Sequence, residues 1–220
     1  MNPPNIHITV VIAEDQAIIR QALVALVKTF KNIEVLGTAG NGEELLKLLE
    51  EFRPDVILTD IQMPMLDGVE ATRLINEKMP WVKVIALSMY DHPVYIKKLL
   101  KNGARGFVSK NATTQELETA ILTVYNGDLY LSESISKTLL REFSDPSVSE
   151  ENFNYSSLTS REIQIILLLA DGYNTREVAE KLFISHKTVE RHKTNILKKL
   201  NLRNTAHLVK MAIQKGIIMH

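Results

Sequence analysis

The sequence predicts an α/β domain with a doubly wound parallel sheet, followed by a small all-α domain of four helices. Two observations support this prediction. In residues 1–126, short apolar runs rich in β-branched residues alternate with segments of helical periodicity, which is the pattern of parallel βαβ units. From residue 158 onward, four helical segments follow one another at close spacing.

The strands of the α/β part are nearly continuous apolar runs, as expected for a sheet that is covered on both faces. We predict five strands, at residues 7–13, 33–39, 55–60, 82–88 and 106–109. Helical periodicity predicts five helices that alternate with them, at about residues 16–30, 42–52, 67–79, 92–103 and 113–126.

Residues 127–157 have a weaker pattern. One short helix is expected around residues 133–143, and the Ser, Asp, Glu, Pro and Asn residues after it are typical of a linker. The four helices of the last part are predicted at residues 159–171, 175–182, 186–199 and 204–215. We therefore divide the chain into an α/β domain (1–126), a linker (127–157) and a helical domain (158–220).

The charges are distributed unevenly although the net charge is zero. Residues 1–126 contain 13 Lys+Arg and 15 Asp+Glu, and residues 127–157 contain 2 and 6. Residues 158–220 contain 11 and 5, a net charge of +6. This asymmetry predicts that the helical domain alone binds a polyanion.

The composition also excludes several classes of protein. The chain has no cysteine, which excludes disulfides, thiolate metal sites and thiol catalysis. No apolar stretch approaches the roughly 20 residues of a membrane-spanning helix. The N-terminal residues lack the basic region of a signal peptide. We therefore expect a cytoplasmic protein with no membrane partner.

Polar side chains stand at the carboxyl ends of the predicted strands, the edge at which parallel sheets bind ligands. They are Glu14 and Asp15 after the first strand, Asp60 at the end of the third, Ser88 at the end of the fourth and Lys110 after the fifth. Three carboxylates in one place raise one another's pKa unless a cation such as Mg²⁺ lies between them. A carboxylate beside Mg²⁺ can attack a phosphoryl donor, while an ammonium and a hydroxyl bind the phosphoryl oxygens.

Four segments in this part, IAED, TDIQMPMLDG, ALS and GARGFVSK, resemble the receiver domain of bacterial response regulators in order and spacing. The resemblance implies a flavodoxin-like fold and phosphorylation of Asp60 by a partner histidine kinase. It implies Mg²⁺ as cofactor, with Asp15, Asp60 and the Gln62 backbone carbonyl as ligands and Glu14 assisting through water. It also places Phe107 at the family's aromatic switch position, where a phenyl ring can switch only through packing.

Simpler interpretations exist for each of these residues taken singly. Asp60 could cap the turn that follows it, and Glu14 and Asp15 could be an ordinary acidic helix entry. A phosphatase of the haloacid-dehalogenase kind also forms an aspartyl phosphate, but it needs a second acid where this chain has Gln62. An atypical regulator that works without phosphorylation typically lacks one of the acids or the lysine, and this chain has them all.

The helical domain begins with a capping box, Thr159 and Glu162, and Ser185 is expected to cap the third helix. Two short helices joined by a tight turn, the second polar and basic, indicate a helix-turn-helix. The outward residues of that second helix are Lys187, Thr188, Glu190, Arg191, Lys193, Thr194, Lys198 and Lys199.

The stretch LTSRE to NLRN resembles the LuxR-type DNA-binding domain of the NarL/FixJ regulators across residues 158–218. The resemblance implies that the helix after Ser185 enters the major groove of double-stranded DNA, with Glu190, Arg191 and Thr194 at base edges and the remaining outward residues at phosphates. We therefore predict a transcriptional regulator, not an enzyme. Phosphorylation of its receiver is expected to favour a DNA-binding homodimer.

Overall fold

A parallel sheet of six strands forms the centre of the α/β part. The computed structural model describes residues 7–88, 93–144 and 158–214. The strands are β1 (Ile8–Ala13), β2 (Ile33–Ala39), β3 (Val56–Asp60), β4 (Lys83–Ser88), β5 (Gly106–Ser109) and β6 (Tyr130–Leu131). Their order across the sheet is β2-β1-β3-β4-β5-β6, which contains the flavodoxin-like order. The five predicted strands are confirmed, and the structure adds β6 as a sixth.

Helices cover both faces of this sheet, as the apolar strands required. They are α1 (Ala17–Val27), α2 (Gly42–Glu51), α3 (Gly68–Lys78), α4 (Pro93–Lys101) and α5 (Thr114–Tyr125). Alternate residues of β1 enter different cores: Val10 joins the cluster that contains Val124 of α5, and Val11 joins the cluster that contains Leu45 of α2. The predicted start of the fourth helix, at residue 92, lies outside the described residues.

The first residues of the predicted linker are ordered against the sheet. The two residues of β6 pair with Gly106 and Phe107 of β5. The following helix, α6 (Glu133–Ser144), lies where a short helix was predicted, and Ile135 and Leu139 are buried. Residues 145–157 of the predicted linker lie outside the described residues, so the linker prediction stays untested there. The part of the predicted linker before residue 145 contains a strand and a helix.

The second compact unit starts at Glu142. Its four helices are α7 (Ser160–Ala170), α8 (Thr175–Lys181), α9 (His186–Lys199) and α10 (Thr205–Gln214), close to the predicted bounds. Thr159 and Glu162 form the predicted capping box of α7, and Ser185 caps α9. Gly172, at φ +91°, ends α7 in a left-handed conformation that favours glycine. Within the described residues, no helix has the length and apolar character needed to span a bilayer.

Candidate phosphoacceptor site and nucleic-acid interface

Four strand ends bring charged and polar side chains to one edge of the sheet. Glu14 follows β1, Asp60 ends β3, Ser88 ends β4 and Lys110 follows β5. The Nζ atom of Lys110 lies 2.6 Å from Oε2 of Glu14 and 3.0 Å from Oδ2 of Asp60. At most 9% of each of these three side chains is exposed. The structure thus holds an ammonium between two carboxylates with little access to water.

A third carboxylate completes an acidic cluster beside this pair. Glu14, Asp15 and Asp60 each offer a carboxylate oxygen, and these oxygens lie within 4.8 Å of one another. Asp15 is exposed whereas the other two are buried, so solvent reaches the cluster from the side of Asp15. The single ammonium of Lys110 leaves an excess of negative charge. This set of oxygen donors fits a hard divalent cation such as Mg²⁺.

The electrostatic surroundings of Asp60 favour the binding of a cation. Burial raises the pKa of Asp60 to about 6; Glu14 also raises it, while Lys110 and the Gln62 backbone N–H lower it. Burial acts to lower the pKa of Lys110, but the carboxylates of Asp60 and Glu14 outweigh this effect and raise it. Lys110 is therefore an ammonium at neutral pH. A dication beside Asp60 favours the ionised form of its carboxylate, which is the nucleophilic form.

The other predicted residues of the receiver site occupy β4, β5 and the loop after β3. Ser88 is buried, and its backbone carbonyl accepts a hydrogen bond of 2.7 Å from the Lys110 N–H. Phe107 is among the largest fully buried side chains, so any change in its position requires repacking of the interior. The Gln62 N–H faces the Asp60 carboxylate, and the role of the Gln62 carbonyl as a metal ligand stays a prediction.

The helix α9 presents an exposed stripe on the side opposite its buried residues. Val189 and Ile196 are fully buried and mark the side that faces the helical core. Besides Lys199, four of the predicted DNA contacts are exposed: Lys187, Arg191, Thr194 and Lys198. Their spacing of four, three and four residues places them on one side of an α-helix. Thr188 is partly buried, and its N–H donates to the Ser185 hydroxyl at 3.1 Å.

Two of the predicted phosphate contacts are bound to partners within the helical domain. Nζ of Lys193 lies 2.9 Å from Oε1 of Glu190 and 3.0 Å from the Thr175 hydroxyl, and only 16% of the Lys193 side chain is exposed. Nζ of Lys199 lies 2.7 Å from Oε2 of Glu162, a side chain that is 3% exposed. Lys193 therefore connects α9 to α8, and Lys199 connects α9 to α7.

Two family models match this chain. A model of the response regulator receiver domain matches residues 10–122, and a model of bacterial regulatory proteins of the luxR family matches residues 156–212. The chain belongs to the response regulators with a LuxR-type DNA-binding domain.

Similar proteins cover nearly the whole length of this response regulator. The oxygen regulatory protein NreC of Staphylococcus carnosus is 38% identical over 213 residues, which are 95% of this chain and 98% of NreC. The structure of RcsB from Salmonella enterica serovar Typhimurium, bound to a promoter in the presence of phosphomimetic BeF₃⁻, is 25% identical with a TM-score of 0.59. It covers 94% of this chain and 98% of RcsB. The response regulator ChrA of a heme-sensing two-component system is 30% identical with a TM-score of 0.54, over 96% and 99% of the two chains.

Sequence reasoning did not assign two residues to the receiver site, because neither belongs to a recognisable motif for catalysis or metal binding. The Arg20 guanidinium donates a hydrogen bond to the Glu14 backbone carbonyl and one of 3.4 Å to that of Asp15. Gly68 follows the cap of α3, and a Cβ atom there would lie 1.9 Å from the backbone carbonyl oxygen of Asp60. Its N–H also donates to the Ile61 carbonyl at 2.9 Å. Arg20 holds the loop that carries two acids, and Gly68 allows α3 to begin against the end of β3.

Proposed function

We propose that Asp60 accepts a phosphoryl group from a partner histidine kinase and that the phosphorylated protein binds promoter DNA as a homodimer. The observation that carries the first half is the position of Lys110, which bonds Glu14 and Asp60 at the same time. An ammonium held there needs to move little to reach an oxygen of a group attached to Asp60. At this edge of the sheet, Asp60 therefore supplies the nucleophile and Lys110 the cationic partner for the transferred group.

The transfer itself follows from these positions. A carboxylate oxygen of Asp60 forms a bond to phosphorus while the bond from phosphorus to the kinase's histidine nitrogen breaks. The electron pair of that bond stays on the imidazole, which then takes up a proton. Lys110 exchanges its contact with Asp60 for a phosphoryl oxygen, and Ser88 donates a hydrogen bond to another.

We propose Mg²⁺ as the cofactor of this step. Asp15, Asp60 and the Gln62 carbonyl would hold it, with Glu14 assisting through water. When bound, Mg²⁺ neutralises charge between the carboxylates and the incoming phosphoryl oxygens. Glu14 is buried and bound to Lys110, whereas Asp15 is exposed, so Asp15 is the better placed of the two for direct ligation.

The helical domain supplies the response. We assign residues 1–126 to the receiver, 127–157 to a linker that begins with β6 and α6, and 158–220 to the DNA-binding domain. The sequence assigned base edges to Glu190, Arg191 and Thr194, but Glu190 pairs with Lys193 and Lys199 pairs with Glu162. We therefore propose Arg191 and Thr194 as base readers and the exposed Lys187 and Lys198 as phosphate contacts. The promoter-bound structure of RcsB with a phosphomimetic supports this order of events for a protein of the same family. Binding of DNA in the cytoplasm, with no membrane partner, is part of the same proposal.

Two other functions fit less well. A phosphatase would need an acid at position 62 to release phosphate, and Gln62 stands there, so we propose that the protein is not an enzyme. Turnover of a generic phosphate ester would contradict this. A regulator that never becomes phosphorylated has no need for Glu14, Asp60 and Lys110 to share a buried contact.

Phosphorylation is tested with a small-molecule phosphoryl donor and Mg²⁺. The parent should incorporate one acid-labile phosphate, Asp60→Asn should incorporate none, and the control Asp128→Asn, an exposed aspartate of the same unit, should match the parent. Labelling of Asp60→Asn at the parental level would refute the assignment. Asp15→Ala should weaken Mg²⁺ binding more than Glu14→Ala does, and equal affinities would refute the ranking of the ligands.

A further inference from the structure

An exposed asparagine lies in the middle of α9, beside the stripe of basic residues. At about 100° per residue around the helix axis, Asn195 is about 40° from Arg191 and about 60° from Lys198. The buried residues Val189 and Ile196 are on the other side of the helix. Asn195 therefore faces the same surroundings as Arg191, although the outward residues identified from the sequence did not include it.

The side chain of Asn195 has no evident structural role. Asparagine is a poorer helix former than Ala, Lys, Arg or Gln, so it is an unfavourable choice at an exposed position inside a helix. Thr194, its neighbour, bonds the Glu190 carbonyl, as polar residues within helices often do. In the described part of the chain, the Asn195 amide makes no hydrogen bond to another residue. Its donor and its acceptor are available to a ligand.

On the opposite side of the exposed stripe, the polar atoms of Glu190 are less available to a ligand than those of Asn195. Glu190 lies there, and its carboxylate is bound to Lys193 and accepts a hydrogen bond from Thr175 of α8. These contacts occupy the Glu190 carboxylate, although 47% of the side chain is exposed. Glu190 is therefore already bound to two partners, whereas the Asn195 amide has its donor and its acceptor available to a base.

We infer that Asn195 reads an adenine in the major groove and that Glu190 does not read a base. A planar amide presents one donor and one acceptor, which match N7 and N6 of adenine, whereas Arg191 matches N7 and O6 of guanine. Arg191 and Asn195 are about 6 Å apart along the helix, against about 3.4 Å between successive base pairs. The adenine should therefore lie one or two base pairs from the guanine. This inference rests on the proposed binding of DNA by α9.

The test uses the full-length protein, treated with the phosphoryl donor and Mg²⁺, and a library of random-sequence DNA duplexes. The parent should select duplexes with a guanine and, one or two base pairs away, an adenine. Asn195→Ala should keep the guanine and lose the adenine preference, a change of roughly 5- to 140-fold, which corresponds to about 1–3 kcal/mol. Alanine favours the helix, so this loss would not come from unfolding. Asn195→Asp should replace adenine by cytosine at that position, because a carboxylate accepts from cytosine N4.

The possible results distinguish a failure of the inference from a failure of the proposed function. If Asn195→Ala selects the same sequences as the parent, the inference is wrong and the proposed function stands. If Glu190→Gln, and not Asn195→Ala, loses one base preference, Glu190 is the reader and the inference is wrong. If the parent binds no duplex even at low salt, the proposed DNA-binding function fails. Unchanged selection by Glu190→Gln, together with the adenine-to-cytosine change in Asn195→Asp, would support the inference.

Discussion

Lys198 and Lys199 are adjacent lysines in the last turn of α9, and we predict that their replacement by alanine affects different properties. Lys198→Ala should weaken the salt dependence of DNA binding, whereas Lys199→Ala should lower the stability of the helical domain. Lys198 is exposed on the basic stripe, whereas Lys199 binds the buried carboxylate of Glu162. Both substitutions remove one positive charge from the same end of the same helix. Their effect on the helix dipole is therefore similar, and each variant is a control for the other.

Lys199→Ala should lower the free energy of unfolding, because it leaves the buried carboxylate of Glu162 without its ammonium partner. Loss of one partner from a fully buried ion pair costs about 3–5 kcal/mol. Here 36% of the Lys199 side chain is exposed, so water screens the interaction. Glu162 also keeps its bond of 2.8 Å from the Thr159 N–H. We therefore expect a loss of about 1–2 kcal/mol, which lowers the melting temperature of a small domain by roughly 4–16 °C.

Lys198→Ala should leave stability within about 0.5 kcal/mol of the parent. It should instead reduce the slope of log K against log salt for DNA binding by about 0.9, the value for one lost phosphate contact. Lys199→Ala should leave that slope unchanged. The two lysines are thus distinguished by two independent measurements, one of stability and one of salt dependence.

Stability can be followed separately in the two units. The only tryptophan, Trp81, lies in the receiver, so its fluorescence reports unfolding of that unit alone, whereas circular dichroism at 222 nm reports the helices of both. Lys199→Ala should shift the dichroism transition and leave the fluorescence transition where it is. A reduced salt slope for Lys199→Ala, with no loss of stability, would show that Lys199 binds phosphate and that its contact with Glu162 is incidental.

Three further predictions concern the receiver. Gly68→Ala places a methyl group 1.9 Å from the Asp60 carbonyl oxygen, so we expect a loss of about 1–3 kcal/mol in stability and slower labelling by the phosphoryl donor; parental stability in denaturant would contradict this. Arg20→Gln should weaken Mg²⁺ binding by about 10- to 100-fold in a metal titration, with partial recovery in Arg20→Lys, and equal affinities in all three proteins would refute a positioning role. The folded pKa of Asp60, about 6, exceeds its ordinary value of 3.8, so without Mg²⁺ the folded state binds the extra proton and stability falls as pH rises through this window. Asp60→Asn should therefore be more stable than the parent at pH 7 in the presence of a chelator, by about 1–3 kcal/mol, and identical pH profiles of the two proteins would refute the raised pKa.

The receiver site was largely predictable because topology fixes it. Parallel strands end at the same edge of a sheet, so residues at strand ends, such as Asp60 and Lys110, meet whatever the details of packing. The contact of Arg20 with the loop before α1 depends on the rotation of that helix, and the clearance at Gly68 depends on the path of one turn. Neither has a periodic signal. The strand β6 was missed for a similar reason, because two residues are too few to show alternation.

In the helical domain, charge in the sequence does not reveal which lysines are free to contact DNA. All lysines of α9 look alike in the sequence, and each contributes to the net charge of +6 in residues 158–220. Long-range attraction of DNA depends on that net charge, so Lys193 and Lys199 contribute to it even though they are bound to Glu190 and Glu162. The equilibrium salt dependence counts only the cations that displace counterions from phosphates. Association rates should therefore respond to every lysine of α9, whereas the equilibrium salt slope should respond only to those on the exposed stripe.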